Sequence, residues 1–281
     1  MTVHIEKPKA ADYVVGEGLQ YVDTHNLLGL FGKVAFDINL ILLGETGIAK
    51  SLAVAYYAAK SQVPLITNWC SEDQRKETLI GHLTFVNQQT TYVLGALPRA
   101  VEVANETGAA ILLMEEINAL TPQSQKLLNS LTDWHRSVET DYGFYQLKPK
   151  AKLWVVGTMN LSAYGGVYAL NTDLKSRFRV LPLGYPPPDV EKKMVLTLLP
   201  DVDPKVVDKI LTVAQHTRTN TVEYALSPRD VIDVLTDAKK VGLGEAIRLQ
   251  SGKYEAEDRE TFVNWVKSTF AAETLKTKGT K

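Results

Sequence analysis

Short apolar runs alternate with longer helical patterns along the first 185 residues of the chain. Each run has the length of a strand and is mostly apolar, which is typical of a parallel sheet that is covered on both faces. We predict five such strands, at residues 40–43, 64–68, 110–114, 153–157 and 180–183. The pattern therefore predicts an α/β domain with a parallel sheet and helices on both faces.

The pattern changes after Tyr185, where the three prolines at 186–188 interrupt any regular element. Only helical patterns follow, at residues 190–199, 204–216, 228–241 and 259–270. We therefore place the α/β domain at residues 1–186 and a small all-helical domain at residues 187–272. The remaining residues, 273–281, are mostly small or polar, and we expect them to be disordered.

Composition narrows the class of protein. The 281 residues are 45% hydrophobic and 22% charged, as in an ordinary globular protein. The net charge of −1 gives no general attraction to nucleic acid or to an anionic membrane. Cys70 is the single cysteine, which excludes an intrachain disulfide and is compatible with a reducing compartment. No signal core or membrane-length apolar run occurs, so we expect a cytoplasmic protein with no membrane partner.

A loop of known chemistry follows the first predicted strand. Gly44 to Ser51 fits the phosphate-loop pattern G-x-x-x-x-G-K-[ST] except at Ala49, which replaces the second glycine. An apolar strand precedes the loop and an alanine-rich helix follows it, so the helix N-terminus would point at the phosphates. Lys50 would reach the β- and γ-phosphates and Ser51 would contact Mg²⁺. The predicted nucleotide contacts are Gly44, Glu45, Thr46, Gly47, Ile48, Ala49, Lys50, Ser51 and Leu52.

The sequence leaves two questions open about this loop: the backbone conformation of Ala49 and whether the loop binds a ligand. Ala49 is acceptable if its φ is negative and costly if its φ is positive, because only glycine adopts positive φ freely. A glycine-rich turn between a strand and a helix that binds no ligand is the alternative interpretation.

Polar residues end two later strands. The run at residues 111–114 ends in Glu115 and Glu116, which are candidates for a Mg²⁺ contact and for the general base that polarises water. Asn160 follows the strand at 153–157, at the sheet edge where open α/β proteins bind ligands, and would orient the water or sense the γ-phosphate. The alternatives are a solvated acidic turn and an Asx-type turn.

The order of these motifs resembles that of AAA+ ATPases. The residues within these motifs are similar to those of the MoxR-type branch. Relatives in that branch include chelatase subunits, gas-vesicle and rubisco-activating ATPases and the McrB restriction motor. The resemblance covers roughly residues 14–241. It rests on the phosphate loop, on Glu116-Ile117-Asn118, on Ser176-Arg177-Phe178 and on Ser227-Pro228-Arg229.

The resemblance implies further roles. Arg177 would be an arginine finger that acts on a neighbouring subunit's nucleotide, and Arg229 would act within its own subunit from the helical lid domain. A finger acting in trans implies a homo-oligomer, by analogy a hexameric ring, with ATP and Mg²⁺ as cofactors. The partner would be a client or adaptor protein, such as one with a von Willebrand-type domain. An arginine that is merely solvated or paired is the alternative for each position.

One departure from the family concerns the acid pair, which is usually Asp-Glu. Glu115 is longer by one methylene, and Mg²⁺ demands near-octahedral geometry at short distance. We therefore expect hydrolysis that is slow or dependent on a partner.

Two β-prone segments, at residues 85–92 and 138–152, are predicted hairpins. In the family such hairpins face the ring pore or move with hydrolysis. The alternative is an ordinary surface hairpin that packs its aromatic residues locally.

The leading hypothesis is therefore an ATP-binding, ATP-hydrolysing AAA+ ring ATPase of MoxR type that remodels or activates a partner protein. A McrB-like motor that acts on nucleic acid is one alternative; that class usually carries a recognition domain, and none is predicted in these residues. A nucleotide-gated ring with little turnover, caused by Glu115, is the other.

Overall fold

The computed structural model describes residues 3–86, 88–161, 168–219 and 222–276. The strands are β1 His4–Glu6, β2 Leu40–Gly44, β3 Leu65–Trp69, β4 Gly81–Val86, β5 Gln89–Leu94, β6 Ala109–Glu115, β7 Ser137–Thr140, β8 Gly143–Gln146, β9 Lys152–Met159 and β10 Arg179–Leu183. The helices are α1 Leu27–Val34, α2 Lys50–Ser61, α3 Lys76–Leu79, α4 Ala96–Thr107, α5 Pro122–Gln125, α6 Asn129–Thr132, α7 Thr172–Ser176, α8 Pro188–Leu198, α9 Pro204–Thr219, α10 Pro228–Val241, α11 Leu243–Ser251 and α12 Ala256–Lys276. Short 3-10 turns occur at Ala10–Tyr13, Ile117–Ala119 and Lys126–Leu128.

The central sheet has five parallel strands in the order β10-β2-β9-β6-β3. These are the five strands that the apolar runs predict, and the predicted α/β fold is confirmed. Leu43 lies opposite Met159, and Met114 lies opposite Gly157. Because the strands are parallel, the carboxyl ends of β2, β6 and β9 meet at one edge of the sheet.

The core explains why these strands are apolar throughout. The β6 residues Ile111 to Met114 are at most 1% exposed, since helices cover both faces of the sheet. Trp154 of β9 is fully buried, and its ring centroid lies 5.2 Å from that of Phe31 and 5.7 Å from that of Tyr57. Its indole N–H donates to the Ile38 carbonyl at 2.8 Å. Burial of a large apolar side chain stabilises a fold by roughly 1.5–3 kcal/mol.

Both predicted hairpins are present. β4 pairs antiparallel with β5, which also pairs with β1, and residue 87 lies outside the described ranges. The second hairpin is β7 with β8. Tyr92 is buried against Tyr142, with 4.8 Å between ring centroids, whereas Phe85 and Phe144 are 69% and 63% exposed. A role at a ring pore stays a prediction for both hairpins.

Contacts divide the chain into two units, residues 1–44 with 50–183 and residues 45–49 with 184–281. The sequence places the boundary three residues later, after residue 186. Within the second unit, α8, α9, α10 and α12 correspond to the four predicted helical patterns, and α11 was not predicted. The helix α12 continues to Lys276 and so includes residues 273–276, which the sequence assigned to the tail. Residues 277–281 of that predicted tail lie outside the described ranges.

The second unit is fixed by buried polar contacts as well as by apolar packing. Ser227 caps α10 and forms a capping box with Asp230, and Pro228 takes the first helical position. Glu191 of α8 and Arg218 of α9 form an ion pair in which each side chain is at most 4% exposed. No helix in the described ranges is both long and apolar enough to cross a membrane.

Candidate active site

The loop between β2 and α2 holds the predicted phosphate-binding residues. Lys50 begins α2, and its Nζ donates to the Gly44 carbonyl oxygen at 2.8 Å. Gly47 and Ala49 both have positive φ, 79° and 65°. Left-handed residues of this kind direct neighbouring N–H groups into one concavity, which is how a backbone nest binds an anion.

The sequence left open whether φ of Ala49 is negative or positive. The structure gives a positive φ, which is the conformation that is costly for alanine. A residue with a Cβ in the left-handed region costs roughly 1–2 kcal/mol, because the Cβ crowds the following carbonyl oxygen. The loop keeps its nest geometry despite the alanine and stores strain at that position.

Ser51 and Glu115 meet, as the predicted Mg²⁺ contact requires. Glu115 ends β6, and its Oε2 accepts a short hydrogen bond from the Ser51 hydroxyl. The Cys70 N–H donates to the Glu115 carbonyl oxygen at 2.9 Å, which fixes the backbone at the strand end. Burial raises the pKa of the Cys70 thiol to about 12, so this neighbour of the acid pair stays protonated and unreactive.

Asn160 joins the phosphate loop to the second acid. Its Oδ1 accepts from Lys50 Nζ at 3.1 Å, and its Nδ2 donates to Glu116 Oε1 at 3.1 Å. The orientation of the amide follows from its partners, because an ammonium group only donates and a carboxylate only accepts. The structure therefore brings Lys50, Ser51, Glu115, Glu116 and Asn160 together at the carboxyl ends of three neighbouring strands.

The side chains present fit both expected ligands. Hydroxyl and carboxylate oxygens, as on Ser51 and Glu115, are the ligands that Mg²⁺ prefers, and Mg²⁺ usually takes its other ligands from water and phosphate. The described residues contain no group of three or more His, Cys, Asp or Glu side chains that could hold a metal without such help. Lys50 and the N–H groups of the loop supply the positive charge that phosphates require.

Arg177 makes different contacts. It follows α7, and its Nη1 donates to the Asp173 carbonyl oxygen while its Nη2 lies 3.8 Å from Asp133 Oδ2. Its Nε is buried and has no hydrogen-bond partner within the described part of the chain. The side chain lines a cleft of about 300 Å³ together with Arg136 and Arg179.

Asp133 is held in its charged form beside Arg177. Burial alone would raise the pKa of Asp133. The hydrogen bonds from the His135 backbone and ring, together with the charges of His135 and Arg177, outweigh burial and leave the pKa below its usual value. Asp133 therefore remains an anchor for Arg177 at neutral pH.

Arg229 is the second residue of α10, in the unit that also contains loop residues 45–49. A Cβ built on Gly47 would lie 2.3 Å from Ser227 Oγ and 3.4 Å from Arg229 Cβ. Only glycine fits at position 47 for that reason, in addition to its positive φ. Gly47 therefore lies against Ser227 and Arg229 of the same unit.

A five-stranded parallel sheet with a phosphate loop, an acid pair and an asparagine at its carboxyl edge defines a P-loop nucleotide-binding protein. Residues 39–178 match the AAA domain of the dynein-related subfamily. The matched residues, about half of the chain, form an AAA domain, so the AAA+ class that the order of the motifs predicts is confirmed.

Curated relatives cover most of the chain. The uncharacterized protein YojN of Bacillus subtilis (strain 168) is 24% identical over 90% of this chain and 84% of its own length. Protein CbbQ of Hydrogenophilus thermoluteolus is 27% identical over 68% of this chain and 71% of its own length. A solved structure from Cytophaga hutchinsonii ATCC 33406 covers 84% of this chain and 78% of its own, at 16% identity and a TM-score of 0.49. The five-stranded parallel sheet and the family match define the fold.

Two buried residues beside the site make contacts that the sequence does not predict. Thr158 and Asn118 are each 2% exposed and hydrogen-bond to the backbones of Glu116 and Asn160, respectively. Asn118 belongs to the motif Glu116-Ile117-Asn118, but that motif gives no partner for its side chain, and a threonine in a strand is too common to be a signal. Their significance comes from distances across neighbouring strand ends, which a sequence does not contain.

Proposed function

We propose that this protein is an ATP-hydrolysing AAA+ ring ATPase of MoxR type that remodels or activates a partner protein. The observation that carries the proposal is the bridge through Asn160, which connects Lys50 with Glu116 by two hydrogen bonds of 3.1 Å. It joins the group that recognises phosphate to the group that activates water, and hydrolysis needs both.

ATP is the substrate in this proposal. Lys50 and the backbone N–H groups of the loop stabilise the negative charge of its phosphates. Glu116 polarises the attacking water and accepts its proton, and Asn160 orients the Glu116 carboxylate. Ser51 and Glu115 would hold Mg²⁺, which when bound neutralises charge on the phosphate oxygens.

The surroundings of Arg177 support the proposed ring. Arg177 contacts the Asp133 carboxylate and the Asp173 carbonyl oxygen, and the cleft that it lines holds Arg136 and Arg179 as well as Asp37 and Asp133. Three arginines outnumber two aspartates there, and arginine is suited to the phosphates of a second subunit's nucleotide. Similarity to CbbQ supports the MoxR-type assignment, and remodelling of a partner protein is what that branch implies.

Two variants separate binding from hydrolysis. Lys50→Ala is expected to weaken ATP binding at least about 100-fold in calorimetry, because the site loses its main positive charge. Glu116→Gln keeps the size and hydrogen bonding of the side chain, and should bind ATP normally while phosphate release falls about 10²–10⁴-fold. Unchanged ATP affinity in Lys50→Ala would refute the nucleotide site, and normal turnover in Glu116→Gln would refute the assignment of the base.

One observation favours the second candidate, a nucleotide-gated ring with little turnover. Ser51 and Glu115 contact each other directly, so the longer acid reaches the position where Mg²⁺ is expected. Tight ATP binding together with phosphate release at the background rate would support this alternative over the ATPase. No contact among the described residues favours the McrB-like motor. ATP hydrolysis that increases when nucleic acid is added and decreases steeply with salt would favour it.

A further inference from the structure

The end of β9 touches the end of β6 through a buried hydroxyl group. Met114 lies opposite Gly157 in the parallel pair, so the residues that follow them on each strand are neighbours. Thr158 is 2% exposed, and its Oγ1 accepts from the Glu116 N–H at 3.1 Å. This contact is made by the backbone of Glu116, while its carboxylate is held separately by Asn160.

The backbone of Glu116 needs such support. Its φ of 54° and ψ of 48° lie in the left-handed region, where a residue with a Cβ is strained. Conformations of this kind persist only where the surrounding structure over-determines them. The Ala119 N–H donates to the Glu116 carbonyl oxygen at 2.7 Å, and Thr158 holds the N–H on the other side of the same residue.

Asn118, in the 3-10 turn that follows β6, makes the reciprocal contact toward the end of β9. Its Nδ2 donates to the Asn160 carbonyl oxygen at 3.3 Å, and its own carbonyl oxygen accepts from the Tyr168 N–H at 2.6 Å. Each strand end therefore fixes the backbone of the reacting residue on the other. Because a side chain's direction follows from its backbone dihedral angles, these contacts set where the Glu116 carboxylate and the Asn160 amide point.

We propose that Thr158 is a positioning residue: by holding the Glu116 N–H it keeps this residue in the left-handed conformation that aims its carboxylate at the attacking water. The proposal rests on the proposed function, in which Glu116 is the general base. A threonine that only fills space in the strand is the simpler explanation. The two explanations differ in one expectation. A threonine that only fills space would lose no activity when its hydroxyl is replaced by a methyl group of the same shape.

Three variants of the 281-residue chain test the proposal. Thr158→Val keeps the shape and removes the acceptor, and Thr158→Ser keeps the acceptor. Thr107→Val changes a threonine at the end of α4, beside the start of β6 and so at the opposite end of that strand from Glu115. We expect Thr158→Val to lower kcat about 10- to 100-fold with KM and the ATP dissociation constant within about threefold of wild type, since small misplacements of a reacting group have effects of this size. Thr158→Ser should recover most of kcat, and Thr107→Val should leave it unchanged.

Hydrogen exchange gives a second readout that does not depend on turnover. The Glu116 N–H should exchange at least about tenfold faster in Thr158→Val than in wild type or Thr158→Ser, because a hydrogen-bonded amide exchanges only when it opens. Wild-type kcat in Thr158→Val, equal loss of kcat in the Val and Ser variants, or unchanged exchange at Glu116 would each overturn the proposal. If the wild-type protein binds ATP but releases no phosphate, the proposed function fails on its own, and the exchange rates still decide whether Thr158 holds Glu116.

Discussion

Ala49 has a φ of 65° at the position where the phosphate-loop pattern has glycine. Glycine removes the crowding at this φ but gains freedom in the unfolded chain, so the two effects partly cancel. We expect Ala49→Gly to raise the free energy of unfolding by about 0.5–1 kcal/mol, measured by urea denaturation. Ala59→Gly in α2 is the matched control and should lower that free energy by about 1 kcal/mol, because its backbone is helical. Equal losses in both variants would contradict the strain assigned to Ala49.

Glu115 differs by one methylene from the aspartate that the family usually has. Its carboxylate reaches the Ser51 hydroxyl directly, whereas a shorter side chain would leave room between the two oxygens. Since Mg²⁺ needs near-octahedral geometry, we expect Glu115→Asp to raise kcat on the order of tenfold. Phosphate release at saturating ATP and Mg²⁺ measures the effect. Glu116→Asp is the control for simple shortening and should lower kcat, so a slower Glu115→Asp enzyme would show that the glutamate is not the limiting feature.

At the scale of elements, the pair Glu191–Arg218 joins α8 to α9. Both carboxylate oxygens accept from the guanidinium, at 2.6 and 2.8 Å, and Arg218 Nε donates to the Leu226 carbonyl oxygen. Loss of one partner leaves a buried charge uncompensated, so Glu191→Gln should cost about 3–5 kcal/mol. Amide exchange in α9 measures the free energy of opening. Asp208→Asn breaks the neighbouring exposed pair with Lys192 and should cost less than about 1 kcal/mol, and equal costs would refute this account.

Asp230 makes the start of α10 sensitive to pH. Burial raises its pKa, but hydrogen bonds from Lys253, Ser227 and Tyr224 outweigh burial and leave the pKa below its usual value. The unfolded chain therefore binds a proton at a higher pH than the folded one, and stability is lost as pH falls below about 4. We expect the melting temperature to fall between pH 5 and pH 3, and to fall less in Asp230→Asn. An identical pH dependence in the variant would show that other carboxylates govern the acid transition.

The strands β2, β6 and β9 were predictable because each contains a run of buried apolar residues, which is the pattern of a parallel strand covered on both faces. The helix α11 was not, since Gly242 and Gly244 at its start resemble a loop. The types of the site residues could be predicted from the motifs, because Lys50, Glu116 and Asn160 each follow a predicted strand. Their connection could not, because the bridge through Asn160 depends on strand order, which places β9 between β2 and β6.

At the scale of the whole molecule, the proposed ring requires that one subunit complete the site of another. Lys50→Ala disables the subunit's own phosphate loop, and Arg177→Ala removes only the group that it would supply to a neighbour. We expect each variant alone to be inactive and an equimolar mixture to regain part of the wild-type phosphate release, since some mixed interfaces pair an intact loop with an intact Arg177. Random assembly would place such an interface at roughly a quarter of positions, which limits recovery to about 25% if interfaces act independently.

The mixture also separates this arrangement from its rivals. If Arg177 served its own subunit, no mixture could restore activity, because every subunit would carry one defect. Mixing Lys50→Ala with Glu116→Gln is the matched control, since both changes lie in the same subunit's site and should not complement. Recovery in that control would mean that the phosphate loop and the base come from different subunits, which the Asn160 bridge within one chain contradicts. A mass measurement with a non-hydrolysable ATP analogue then tests whether the complementing species is a hexamer.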